Sequence, residues 1–128
     1  MPISFEYDPT SHIVTSVASG DITPADSEAS HQKVLELRRE HPGMRLLVDM
    51  REAHVAASAA GVIAIIEAFF ELVGTTVPVA FLNRDEADNP NSMLAETRAF
   101  IAGAAMRAFT DGAEARTWLA GKVRRPGA

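Results

Sequence analysis

A chain of 128 residues, 47% hydrophobic and 23% charged, is long enough to bury one ordinary core and far from a disordered composition. Twelve Lys and Arg against seventeen Asp and Glu leave a formal charge of −5, which argues against a general nucleic-acid binder, because that activity needs a basic footprint over the phosphates. The lack of cysteine excludes disulfides, thiolate chemistry and Cys-based zinc sites.

The chain opens Met-Pro-Ile-Ser-Phe-Glu-Tyr-Asp, without a basic segment followed by an apolar run, so no signal peptide is expected and the cytoplasm is the expected compartment. Ile3–Tyr7 alternates apolar and polar residues as a half-buried strand does. Asp8-Pro9-Thr10-Ser11 supplies turn chemistry, and His12–Ala18 reads as the returning strand of a hairpin, closed by Gly20. Thr23-Pro24-Ala25-Asp26 then combines an N-cap, a proline at the first helical position and a capping-box acid. That helix should run to about Glu40 and stop before His41-Pro42-Gly43. Its amphipathicity is weak: Ser30, Val34 and Leu37 share a face, but Leu35 points elsewhere.

Met44–Asp49 is a short apolar run suited to a strand covered on both faces. A second helix is predicted over about Ala57–Val73. The apolar stretch Val55–Val73 carries Glu67 and Glu71, which would be costly inside a bilayer, so it reads as a buried helix and not a membrane span. Val77–Leu82 is the next buried strand, its Pro78 implying a late start or a free amide position. After a polar loop over Asn83–Asn91, a third helix is expected from Ser92 to Ala105 with Met93, Leu94, Phe100, Ile101 and Ala104 on its inner face. Met106–Phe109 is a short last strand. Asp111 and Glu114 cap a final helix that turns Ala115, Trp118 and Leu119 inward.

The order ββαβαβαβα implies one mixed, mostly parallel five-stranded sheet with four helices, an α/β domain over residues 1–121 with a frayed tail at 122–128. The best basic patch, Lys122, Arg124 and Arg125, falls in that tail.

Three local patterns accompany this order: Gly20-Asp21-Ile22-Thr23 leaving the second strand, Leu46-Leu47-Val48-Asp49-Met50-Arg51 around the third, and the closing helix Asp111-Gly112-Ala113-Glu114-Ala115-Arg116-Thr117-Trp118-Leu119. Together they resemble the SpoIIAA-like superfamily of STAS domains and anti-sigma-factor antagonists, and most of all an uncharacterised STAS-like branch ending in a "D…EA…WL" helix. The resemblance spans nearly the whole chain. It implies a non-enzymatic domain that acts through protein contacts with a regulatory partner or with itself as a homodimer. The antagonists carry a phosphorylated Ser in an Asp-Ser-Ser-Gly turn after the third strand. Here the corresponding stretch is Ala57-Ser58-Ala59-Ala60-Gly61, which keeps Ser58 but replaces the Asp and the neighbouring Ser with Ala57 and Ala59. Ser58 is therefore expected to cap a helix before it serves as a phosphosite.

The strand ends carry Asp49, Arg51, His54 and Arg84, a candidate ligand or partner surface, and the carboxylates and His54 there could in principle do acid–base work. Nothing in their spacing orders a nucleophile, base and orienter, so no catalytic residue is assigned. His12, His31, His41 and His54 lack metal-ligand spacing, and no glycine-rich phosphate loop follows a strand, so neither a metal nor a cofactor is expected. The second helix says more. Val55, Ala59, Val62, Ile66, Phe69 and Val73 form its stripe, flanked by Ile65 and Leu72 on one side and Ile63 and Phe70 on the other. That arc is wider than the roughly 100° one sheet contact requires. A neighbouring helix, a second subunit meeting Ile65, Phe70 and Leu72, or an apolar ligand would each cover the surplus. The similarity of the fold to CRAL-TRIO lipid-transfer domains supports the last, a small apolar or lipid-like molecule between the second and third helices and the sheet.

Overall fold

The opening hairpin turns on Asp8, whose carboxylate accepts the Thr10 amide at 2.9 Å and the Ser11 hydroxyl at 3.0 Å. His12 follows at φ +56°, a left-handed conformation that His tolerates better than β-branched residues, so the returning strand begins one residue later than expected. The computed structural model describes residues 2–55, 57–85 and 90–122. Its elements are β1 (Ile3–Asp8), β2 (Ile13–Ile22), α1 (Pro24–Glu40), β3 (Arg45–Val55), α2 (Ala59–Val73), β4 (Val79–Leu82), α3 (Pro90–Ala102), β5 (Met106–Phe109) and α4 (Gly112–Ala120). The expected tail lies, past Lys122, outside the described residues, as do Arg124 and Arg125.

The sheet runs β1-β2-β3-β4-β5 in chain order, with β1 antiparallel to β2 and every later pair parallel. Because three successive crossovers step the same way across the sheet with the same right-handed sense, α1, α2 and α3 share one face. Their core contains Val14, Val34, Leu46, Phe69, Val73 and Val79. The opposite face belongs to α4, where Ala115 and Leu119 pack on Ile13, Leu47, Ala80 and Leu82.

Local signals were translated directly. Thr23 accepts the Asp26 amide at 3.2 Å while the Asp26 carboxylate accepts the Thr23 amide at 2.9 Å, a complete capping box. Pro78 stays outside β4, and its carbonyl still accepts the Leu46 amide at 2.9 Å. Asp111 accepts the amides of Ala113 and Glu114 at the start of α4.

β2 runs through Gly20 to Ile22 and does not close at Gly20, and α3 starts two residues before Ser92 and ends at Ala102; β3 and the facing of α3 differ further from expectation. β3 continues to Val55 through a bulge: Val17 pairs with Asp49 but Ser19 with Glu52, so β3 spends one residue more than β2 over the same span. The extra residue resets the alternation, and Ala53 and Val55 join Leu46, Val48 and Met50 on the helix-covered face. In α3 the buried residues are Ser92, Ala95 and Ala99, whereas Met93, Phe100 and Ile101 are 59%, 87% and 67% exposed. Ala95 and Ala99 make a smooth stripe on which the helix backbone can approach its neighbours, and that close fit turns the larger apolar residues outward.

Sitting between α1 and α3, α2 is bracketed on both flanks. Phe70 and Leu72 are half-buried against the core. Arg38 of α1 donates to the Val73 carbonyl at the end of α2, and Arg98 of α3 pairs with Glu67. Neighbouring helices therefore cover much of the surplus apolar arc.

Candidate functional site

Side-chain size is unevenly spread under the three helices. Leu37, Met44, Phe69, Val73 and Val77 fill the half of the core nearer the strand starts. Toward the strand ends the same face and its helices offer small residues instead: Ser16, Ala18, Ser30, Ala53, Ser92 and Ala95. The space left there is a cavity of about 390 Å³. That lies within the roughly 300–1,000 Å³ of small-molecule sites, and the cavity runs under the helices from Leu46, Val79 and Met106 toward the carboxyl ends of the strands, where open α/β sheets hold ligands. Val48 and Phe81 form the floor, Ile65, Ile66 and Phe69 the α2 wall, and Ser30, His31 and Val34 the α1 wall.

Its polar groups sit at two sides. On the β4–α3 side the Asn83 side-chain amide donates to the Ser92 hydroxyl at 2.9 Å, both residues being buried. On the α1 side the His31 ring stands edge-on to Phe69 at 5.4 Å between centroids. Burial holds the His31 pKa below its ordinary 6.5, only partly offset by Glu28. The unfolded chain therefore takes up this proton first as pH falls. Stability contributed by the neutral ring is full above about pH 6.5 and declines below it. His31→Gln is expected to flatten this limb in a plot of melting temperature against pH. A limb of unchanged steepness would contradict the assignment.

No protein-family model and no curated protein matches the sequence. Among solved structures the chain is similar to an uncharacterised protein of the DUF3478 family with a SpoIIAA-like fold, from Shewanella loihica. The match has a TM-score of 0.65 and 18% identity, and covers 91% of each chain. The fold is SpoIIAA-like. At that identity the likeness shows the architecture alone.

Within this SpoIIAA-like frame, Ser58 caps α2: its hydroxyl accepts the Gly61 amide at 3.1 Å, and the residue is exposed. Asp49 and Arg51 close on each other, with Arg51 Nε donating to Oδ1 at 3.0 Å and Nη2 to Oδ2 at 2.8 Å. These bonds, led by the guanidinium, hold the Asp49 pKa below the usual carboxylate value. Strand alternation from Leu47 places Asp49 on the α4 side, away from the cavity. His54 is exposed at the cavity rim and Ile65 lines its wall. Arg84 is exposed in the loop after β4, and Phe70 and Leu72 face the core flank of α2. The structure thus brings His54 and Ile65 to one place and leaves Asp49, Arg51, Ser58, Phe70, Leu72 and Arg84 elsewhere.

Ser16, Ser30, His31 and Ser92 were not foreseen as site residues. Their signal was present as polar or small residues at positions where the strand or helix period calls for apolar bulk, including the weak amphipathicity of α1. Among the described residues no group of three or more His, Asp or Glu is placed to hold a metal ion, and no helix is long and apolar enough to cross a membrane.

Proposed function

We propose that this chain is a non-enzymatic, cytoplasmic binding module for a small amphipathic molecule seated between the sheet and α1, α2 and α3. The observation that carries the reading is the apolar cavity of about 390 Å³ at the strand ends. Its polar lining supports binding over catalysis, because hydroxyls, amides and imidazoles there suit hydrogen bonding to a ligand, while the Asp49 carboxylate is engaged by Arg51 on the other face. Native mass spectrometry of gently purified protein is expected to show a co-purifying small molecule, and an apolar fluorescent probe should bind saturably to the stripped protein. Filling the space from its walls with Ser30→Trp or Ala53→Phe should abolish probe binding while the circular dichroism stays native. Probe binding that is absent from the parent, or unchanged in both folded variants, would overturn the proposal.

A second reading, a regulatory protein contact or a homodimer, is favoured by the exposed Met93, Phe100 and Ile101 on α3. On this reading the contact would use α3, since Phe70 and Leu72 are packed against the domain's own core. Sedimentation at micromolar concentration should show a dimer that Phe100→Asp splits; a strict monomer would remove the homodimer.

A further inference from the structure

Resting on the ligand-binding reading, we propose that the cavity takes an uncharged molecule, an apolar body bearing hydroxyl or carbonyl groups, and discriminates against carboxylates and amines of the same size. Among the described residues, each polar side chain on the lining is a hydroxyl, an amide or an imidazole: Ser16, Ser30, His31, Asn83 and Ser92 are representative. These groups donate and accept hydrogen bonds without carrying a fixed charge.

Several charged groups on the surrounding elements are directed to other partners, and Glu28, which acts on His31 from the same helix, is exposed to solvent and off the lining. Asp26 closes the capping box of α1, and Arg38 reaches the end of α2. Arg45 is bound to carbonyls of α4, and Asp49 to Arg51. Glu67 pairs with Arg98, and the Glu96 carboxylate accepts the Ala108 amide at 2.6 Å. An ion entering the cavity would leave water and meet a lining that, among the described residues, has no carboxylate, ammonium or guanidinium, which disfavours it against a neutral molecule of equal apolar area. The His31 ring fits this environment, since burial disfavours its charged form, and in the neutral form one nitrogen donates and the other accepts.

The test is displacement of a neutral fluorescent probe from the full chain at about pH 8, where the unperturbed pKa values of a carboxylic acid and of His leave the first ionised and the second neutral. The competitors are 1-decanol, decanoate and decylamine, each below its aggregation concentration. Decanol is expected to compete at least about tenfold better than either ion, the least difference an uncompensated buried charge should impose. Ser30→Lys, which sets an ammonium on the α1 wall, should raise the decanoate affinity relative to decanol by at least about tenfold. Decanoate or decylamine matching decanol would overturn the neutral-ligand inference while leaving the binding reading intact, and so would a decanoate-to-decanol ratio unmoved by Ser30→Lys. Failure of decanol to displace a saturably bound probe would likewise overturn it. Absence of saturable probe binding would overturn both.

Discussion

Replacing Arg45 with Met is expected to cost the protein about 3 kcal/mol of stability, roughly the worth of one or two hydrogen bonds made by a charged group. Arg45 opens β3 and is only 6% exposed. Its guanidinium donates to the Leu119 carbonyl at 3.0 Å, to that of Ala120 at 3.4 Å and to that of Ser11. Its own amide donates to the His12 carbonyl at 2.9 Å. One side chain thus joins the hairpin turn, the start of the third strand and the end of the last helix. The carbonyls at a helix C-terminus carry partial negative charge, so a cation is stabilised there although, among the described residues, no carboxylate pairs with it. Met would fill much of the volume but remove these donors: the part-buried Ala120 and Ser11 carbonyls would lose the guanidinium, and the buried Leu119 carbonyl would be left with backbone amides such as that of Lys122 at 3.0 Å. Urea unfolding should show a lower midpoint with an unchanged slope, and Arg45→Lys should recover only part of the loss, because one ammonium lacks the planar fork that spans separate acceptors. A midpoint shift equivalent to less than about 0.5 kcal/mol, the scale of a neutral surface change, would show that these contacts do not stabilise the fold.

Phe69→Ala should destabilise the chain by about 3–5 kcal/mol, whereas Phe100→Ala should change stability by less than about 0.5 kcal/mol. Both are aromatic residues on apolar helices, yet Phe69 is 6% exposed and Phe100 is 87% exposed. The Phe69 ring meets His31 and Phe70 edge-on, at 5.4 Å and 6.2 Å between centroids, and closes one wall of the cavity. Its truncation removes buried area and enlarges a space already present, so little collapse can compensate. Phe100 has no such wall to lose. Thermal unfolding of the two variants side by side tests how α3 is turned on the domain. A large loss in Phe100→Ala, or a negligible one in Phe69→Ala, would contradict the arrangement described above.

Wherever a residue's consequence was local, it was legible. The box of Thr23 and Asp26, the late start forced by Pro78, the caps Ser58 and Asp111 and the hairpin turn at Asp8 each act within a few residues. Alternating strands and helices likewise restrict the topology, because parallel neighbours require right-handed crossovers. Residue size alone was a poor guide to α3. Met93, Phe100 and Ile101 looked like a core face, but Ala95 and Ala99 hold that position, since the closest approach of a helix is set by its smallest residues.

The length of β3 was hidden for a related reason. Its second half, Met50–Val55, mixes charged and apolar residues without a clear period, because the bulge changes which parity faces the helices. That change brings Ala53 and Val55 over the same space as Met50, and so helps to form the cavity.

By itself, then, the sequence determined a mostly parallel α/β sheet behind an opening hairpin, with the starts of α1, α2 and α4 written into their capping residues. Only the tertiary structure decided where the molecule has room for a ligand. A cavity is a difference between the volumes of side chains contributed by β2, β3, β4 and three helices, and no single segment records it. Asp49 and Arg51 stood out in the sequence because charge is visible one residue at a time. Ser16, Ser30 and Ser92 did not, because what they contribute is the space that larger side chains would have filled.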